Sequence, residues 1–365
     1  MRRILCILIC VSMFSMIFAA MPVSANSEHK VDLSTWTAES YPAVSGFPIG
    51  VWTVSTDHTS VYQSNNGQPT MFYSDFLAFG TEMQGTIKVT GTDDDLIGFA
   101  LGFQPGDSSN TNADYLLIDW KRGTQYYNFG TPSCGPGGTA YIGLAVSHVE
   151  GVPNADEFWH HVDQDVTCSP LGQGVTELAR ATNLGSTGWV IGQEYIFKFE
   201  FTSTSLKVYV DGVLEIDITG DFQNGRVAFY NFSQAGVTYS GFTLQLEAVI
   251  DIDPDTLNSK SNGQWITCYI ELPEGYDVAN IDVSTILLND IVPAESEPTE
   301  IGDYDTDGIP DLMVKFDRAE VLGLVGETND YEEGIKSYDF TLTVTGELLD
   351  GSTFEGQDTV KVLSK

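Results

Sequence analysis

Two groups of carboxylates are the residues best placed to do chemistry. Asp93, Asp94 and Asp95 stand in a row directly before the β-forming run Leu96-Ile97-Gly98-Phe99. Adjacent carboxylates raise one another's pKa, so such a triplet needs either solvation in a turn or a shared cation. Oxygen-only donors at this density suit a hard ion such as Ca2+. Further on, Asp303-Tyr304-Asp305-Thr306-Asp307-Gly308-Ile309-Pro310-Asp311 places carboxylates at positions 1, 3, 5 and 9 of a loop. Gly308 falls where a sharp turn is needed, and Ile309 would offer its carbonyl at position 7, the donor order of an EF-hand-type calcium loop. Position 12, where a bidentate glutamate belongs, is Val314. Asp317 would substitute only if the chain folds back. For both groups a solvated acidic turn is the competing reading.

The segments that must position these residues have the period of strands. Leu206 to Val210 alternates, meets Asp211-Gly212, and resumes as Val213 to Ile218, a hairpin whose turn pair suits positive φ at both central residues. Tyr195 to Thr202 alternates aromatics with charge, and Arg226 to Phe232 follows a glycine turn. Trp52-Thr53-Val54, Met71-Phe72-Tyr73 and Thr86 to Val89 read as further strands of the same sheets. Helical period is weak; only Thr176 to Thr182 suggests a helical turn or two. Short strands with frequent glycine turns imply an all-β sandwich.

Charge divides the chain. There are 16 Lys+Arg against 51 Asp+Glu, a formal net charge of −35. Such a surface repels phosphate backbones and excludes nucleic-acid binding. Apolar content of 42% with 16 Tyr and 20 Phe is enough for a large core and argues against disorder. Residues 251–365 carry 26 acidic and 6 basic side chains, net −20, and the shift coincides with Val249-Ile250-Asp251-Ile252-Asp253-Pro254. A domain boundary near residue 248 follows, giving 26–248 and 249–365 as two domains. Calcium sites and adaptation to salt both account for the acidity, and neither excludes the other.

The N-terminus reads as an export signal. Arg2 and Arg3 precede the apolar run Ile4 to Ala20, and Val23-Ser24-Ala25 supplies small residues for cleavage after Ala25, so 1–25 is assigned as a signal peptide. No later apolar stretch has the length of a membrane-spanning helix, so the processed protein is expected outside the cell or at its surface, not as an integral membrane protein. Cys134 and Cys168 lie in polar loops, where cysteines of an exported protein pair, and a Cys134–Cys168 disulfide is expected. Cys268 sits in a strand-like context and reads as a buried free thiol.

Catalytic readings find little support. Leu214-Glu215-Ile216-Asp217-Ile218-Thr219-Gly220 begins like the ExDxxE strand of retaining glycosidases, whose paired carboxylates stand ~5–5.5 Å apart. Gly220 occupies the place of the acid/base, which leaves Glu215 and Asp217 as solvent-facing strand residues. His160-His161 beside Trp159 is a structural or surface pair before it is a metal site. No catalytic residue is assigned. Trp159, Trp189 and the pair Tyr126-Tyr127 fall in or near expected loops, where rings stack on sugars or anchor a partner; a core role is the favoured reading for each ring, and Trp159 and Trp189 are the ligand-binding candidates.

The order of these segments carries a resemblance. Asp93 to Gln104, Tyr115-Leu116-Leu117-Ile118-Asp119-Trp120-Lys121, Tyr141 to Val146, Phe158 to His161, Gly185 to Trp189, the Leu206–Ile218 hairpin and Gly225 to Ser233 together resemble the thrombospondin C-terminal domain, over residues 90–245. The tandem acidic repeats that precede that domain in thrombospondins are missing from residues 26–90. The resemblance implies a calcium-carrying, lectin-like β-sandwich of the concanavalin A type. Residues 249–363, with "IDIDPDTLN", "DYDTDGIPDLMVKF" and "GSTFEGQDTVKV", are similar to an acidic β-domain of exported archaeal and bacterial surface proteins, implying a smaller second sandwich. The function expected is calcium-dependent adhesion or ligand binding outside the cell, without catalysis, toward an extracellular protein or glycan. The alternatives are a carbohydrate-binding module and, behind it, a glycoside hydrolase relative of the same fold.

Overall fold

The computed structural model describes residues 29–42, 46–130, 137–161, 174–258, 260–261, 263–327 and 337–363. The signal segment, Cys134 and Cys168 lie outside the described residues. Nearly all elements are strands, and they pack as sandwiches. One antiparallel sheet of seven strands runs in the order Gly174–Arg180, Gly143–Glu150, Asp114–Lys121, Leu96–Phe103, Arg226–Phe232, Thr70–Leu77, Thr37–Ser40. Facing it are Val213–Thr219, Ser205–Val210, Glu194–Phe201, Thr81–Val89 and Val237–Glu247, in that order.

Aromatic rings fill the space between these sheets. Phe229 and Tyr239 stack with centroids 4.5 Å apart and planes 6° apart, and Phe99 meets Phe197, Phe199 and Phe242 around them. Stacked and edge-on pairs add roughly 0.5–1.5 kcal/mol each beyond their buried area. Strand patterns report which sheet is covered. Thr81–Val89 and Glu194–Phe201 alternate between buried and more accessible positions, as a sheet with one wet face requires. All eight residues of Leu96–Phe103 are buried, and so are seven of the eight in Asp114–Lys121. Those strands are covered on both faces. Their outer cover includes the helix Ala155–His160, whose Phe158 and Trp159 pack with Tyr41, Met71, Leu96, Phe103, Tyr230 and Phe232.

The helix was not expected from the sequence, being six residues long. A capping box starts it: Asn154 accepts from the Asp156 and Glu157 amides, and Glu157 accepts from the Asn154 amide. Conversely, the helical turn expected at Thr176 to Thr182 is the edge strand Gly174–Arg180, paired with Gly143–Glu150. Partner strand pairing outweighs a weak local period there. The Asp211-Gly212 turn is as read, with φ of 50° and 78°.

Beyond residue 248 the chain builds a second pair of sheets. Val249–Asp253, Trp265–Glu271, Asp311–Asp317 and Glu300–Gly302 form one. Thr353–Leu363, Ser337–Leu348, Ile281–Leu288 and Val292–Pro293 form the other, and it continues the large sheet already described. The link is parallel pairing of Val237–Glu247 with Thr353–Leu363, through Gln245↔Thr353, Leu246↔Phe354 and Glu247↔Glu355. Cys268 is a free, buried thiol in a core continuous with that of the first two sheets, and burial pushes its pKa well up. Among the described residues no helix is long and apolar enough to cross a membrane.

Gly356 permits the link. A Cβ there would lie 2.3 Å from the Ala248 carbonyl oxygen and 2.4 Å from Ile250 Cγ1. Gly356→Ala should therefore lower stability by about 1–3 kcal/mol, the usual effect of overpacking, read as a lower denaturant midpoint. An unchanged midpoint would show that the junction yields without loss.

Candidate metal and ligand sites

The doubly covered sheet carries two charged residues on its outer face, Asp119 and Lys121, both fully buried. A buried charge persists only when paired, and each has a partner. Lys121 Nζ lies 2.7 Å from Asp95 Oδ1 and 3.7 Å from Asp94 Oδ1, donates to the Asp94 carbonyl at 3.1 Å, and sits 4.4 Å from the centroid of the Trp159 ring. Reorienting the Gln125 amide lets it donate to Asp94 and Asp95 as well. Burial raises the Asp95 pKa, with Lys121 pulling the other way. Asp93 Oδ2 accepts from Asn66 Nδ2 at 2.6 Å.

The three aspartates do converge, with ligand oxygens within 4.8 Å of one another. Yet the cation that Asp95 faces is an ammonium supplied by the chain itself. As a calcium site the triplet therefore fits poorly at Asp95, and only Asp93 and Asp94 stay accessible to an ion.

Asp119 is paired by the residue that ends the helix. His161 adopts φ 50° at the C-cap, which turns its ring toward the sheet. His161 Nε2 lies 2.8 Å from Asp119 Oδ2, and Nδ1 lies 3.5 Å from Glu177 Oε2. Arg180 holds Glu177 through Nε at 2.9 Å and Nη2 at 2.7 Å. Burial works against charge on the imidazole, but Asp119 and Glu177 outweigh it and push its pKa up to about 9. The histidine is a clamp between helix and sheet.

The second acidic loop is arranged differently. Asp303, Asp305 and Asp311 bring oxygens within 4.8 Å of one another, and Asp305 and Asp307 do the same with Glu271. Asp305 accepts from the Asp307 amide, Asp307 from the Ile309 amide, and buried Asp311 from the Tyr304 amide. Among the described residues none of these five carboxylates forms an ion pair with Lys, Arg or His. Burial and the four neighbouring aspartates raise the Glu271 pKa. Asp317 does not fold back toward the loop; it accepts from the Ala319 and Glu320 amides at the start of the helix Arg318–Glu327. Val314 is core. The additional carboxylate comes from Glu271, opposite Asp311 in the pairing of Trp265–Glu271 with Asp311–Asp317. No spacing within the loop reveals it; only the register of two strands does. The donor set is all oxygen and uncompensated, which fits a hard divalent ion.

Two expectations for ligand contact are corrected. Trp159 and Trp189 are each only 1% exposed, so neither ring is free to stack on a ligand. Trp159 covers the sheet, and Trp189 donates its indole N–H to the Asp95 carbonyl. The most exposed rings among the described residues are Tyr126 at 62% and Tyr141 at 63%, near the two-stranded ribbon Gln125–Tyr127 and Gly138–Ala140; Tyr62, Tyr127 and Tyr304 are exposed to a lesser degree. Glu215 is not solvent-facing. The register of Ser205–Val210 with Val213–Thr219 shifts between Val208 and Tyr209, and Glu215 turns inward. Its carboxylate accepts from the Asn183 amide at 2.8 Å, the Leu184 amide at 3.1 Å and Asn183 Nδ2 at 3.3 Å. Asp217 remains exposed.

Residues 48–247 match the family model described as the thrombospondin C-terminal region. No curated protein matches the chain. Among solved structures, a carbohydrate-binding module of Bacillus subtilis, CBM66, is similar at 12% identity and TM-score 0.36, over 57% of this chain and 94% of that one. The exoplasmic/lumenal domain of VIP36, in a Ca2+- and mannose-bound form, is similar at 14% identity and TM-score 0.33, over 57% and 82%. A family 16 endo-glucanase of Bacteroides ovatus shares 11% identity at TM-score 0.33, over 59% and 98%. These likenesses concern the fold alone.

The His161 clamp makes stability depend on pH. Its folded pKa, about 9, stands above an unfolded value of ~6.5. The contribution is therefore complete below ~6.5 and disappears as pH rises through about 9. Melting temperature should fall between pH 7 and 10, and His161→Gln should flatten that fall while lowering stability at pH 7 by roughly 3–5 kcal/mol through the buried Asp119 charge. Equal slopes in both proteins would remove the clamp from the explanation.

Proposed function

The chain belongs to the thrombospondin C-terminal region family, and on that footing we propose that it is an exported, calcium-binding adhesion or ligand-binding protein without catalytic activity. The observation that carries the reading is the uncompensated set Glu271, Asp303, Asp305, Asp307 and Asp311, whose mutual repulsion a divalent ion would relieve in part. The Ile309 carbonyl belongs to the same proposed site, and Asp93 and Asp94 form a weaker one. A non-catalytic role is supported by Glu215, whose oxygens are engaged by main-chain and amide N–H groups, and by Gly220 in the place of a second acid. Export rests on the residues before Asn26, and the boundary near 248 separates the lectin-like portion from the acidic one.

Ligand contact is assigned to exposed rings rather than to the indoles. Tyr126 and Tyr141 present faces that stack on a sugar or anchor a protein partner. The proposed ligand is an extracellular glycan or protein, and calcium acts by ordering the acidic loop.

Calcium should raise the melting temperature of chelator-treated protein. Saturation at a hundredfold excess over Kd corresponds to about 2.7 kcal/mol. Asp305→Asn with Asp307→Asn should abolish most of that shift, whereas Asp255→Asn with Asp339→Asn, exposed and outside the loop, should preserve it. If both double variants respond to calcium and to salt alike, the loop is only a solvated turn. Separately, a glycan array probed in calcium should give binding that Tyr126→Ala and Tyr141→Ala reduce at least tenfold. Retained binding in both variants would exclude the tyrosine platform.

A further inference from the structure

A cavity of about 230 Å3 opens at the end of the sandwich remote from Asp95 and Lys121, where Leu96–Phe103 finishes and Asp114–Lys121 begins. Eight-residue strands put these two ends ~25 Å apart, so the pocket is separate from the Asp93–Asp95 triplet. Its floor is the inter-sheet core itself: Leu101, Leu116 and Phe201 are buried residues that also line the opening. Half-buried Phe222 and Leu178, the latter 47% exposed, form apolar walls. An exposed leucine on an edge strand beside such an opening extends the apolar surface outward.

The rim is polar and carries two carboxylates and one imidazole. Asp114 Oδ1 lies 2.8 Å from His148 Nε2, and exposed Asp221 completes the edge; Glu150, outside the lining, stands 3.8 Å from the other ring nitrogen. The single imidazole is already engaged by carboxylates, so the rim favours a positively charged head group over a negative one. Size narrows the body of the ligand. An apolar cavity of ~150 Å3 accepts a benzene ring, and the space here exceeds that by enough for a short arm.

We propose that this pocket binds a small aryl-alkyl ammonium compound, its ring against Leu116, Phe201 and Phe222 and its ammonium at Asp114 and Asp221. The site is independent of the calcium and glycan reading. Gly220 keeps the entrance open: a Cβ there would lie 2.6 Å from the Phe222 ring.

Phenethylamine titrated into the full protein at physiological salt, followed by calorimetry, tests the assignment. Saturable one-to-one binding is expected, at least tenfold tighter than for phenylacetate, which has the same ring and the opposite charge. Asp114→Asn should weaken phenethylamine at least fivefold and leave 2-phenylethanol unchanged. Gly220→Leu should remove binding of both, and Leu178→Asn, at an exposed position that the fold tolerates, should weaken both. The proposal is overturned by absent saturation, by phenylacetate binding as tightly as the amine, by undiminished amine binding in Asp114→Asn, or by undiminished binding in both Gly220→Leu and Leu178→Asn.

Discussion

A sheet covered on both faces is the constraint on which the lectin-like portion depends. The face of the seven-stranded sheet turned away from its partner presents Met71, Leu96, Phe103, Leu117, Tyr230 and Phe232. At about 25 cal/mol per Å2 of apolar surface, leaving such a face wet would forfeit a large part of the folding free energy. Other segments must therefore lie over it. The six-residue helix Ala155–His160 could not persist alone, since isolated helices need roughly 12–15 residues to be even marginal. It exists because Phe158 and Trp159 are held against that face. Indoles and phenols that would otherwise be available for ligands become cover.

The same constraint explains the electrostatics. Burying a sheet that contains Asp119 and Lys121 requires a counter-charge for each, and the two solutions come from different places. Lys121 finds Asp95 at the neighbouring strand's entrance, whereas Asp119 waits for His161 from the covering segment. The acidic triplet thus has a structural duty before any ligand arrives. In sequence, the triplet looks like an ion site because its partner is a lysine 26 residues away, on the strand paired with Leu96–Phe103.

What was legible follows from how local each signal is. Alternation in Tyr195 to Thr202 and the Asp211-Gly212 turn are short-range and were readable directly. The unbroken apolar runs Leu96 to Phe103 and Tyr115 to Ile118 were read only as strands; that both faces are covered came from the structure. Register was the hidden variable elsewhere. A shift at Val208 and Tyr209 turns Glu215 from surface to interior, because one extra residue reverses which face a side chain occupies. Glu271 joins the Asp303–Asp311 loop by cross-strand pairing, and Asp317 is drawn off to cap a helix, a competing use for a carboxylate that spacing does not reveal.

The two acidic groups end as physical opposites although their compositions are alike. Around Asp95 the fold supplies its own cation, rigidly, inside a low-dielectric interior where an ion pair is strong and exchange with solvent is poor. Around Asp305 it supplies none, and the like charges of five carboxylates oppose one another at the surface. Added salt screens that repulsion at distances beyond ~8–10 Å, but within each triad, Glu271–Asp305–Asp307 and Asp303–Asp305–Asp311, the oxygens lie within 4.8 Å of one another. At such separations screening by a diffuse ion atmosphere is weak, and relief must come from a bound proton or a bound cation. Burial first, and then the neighbouring aspartates, raise the pKa of Glu271 and so favour the proton there. A divalent ion at the proposed site would compete with the proton for the same oxygens, and should bind more weakly as pH falls.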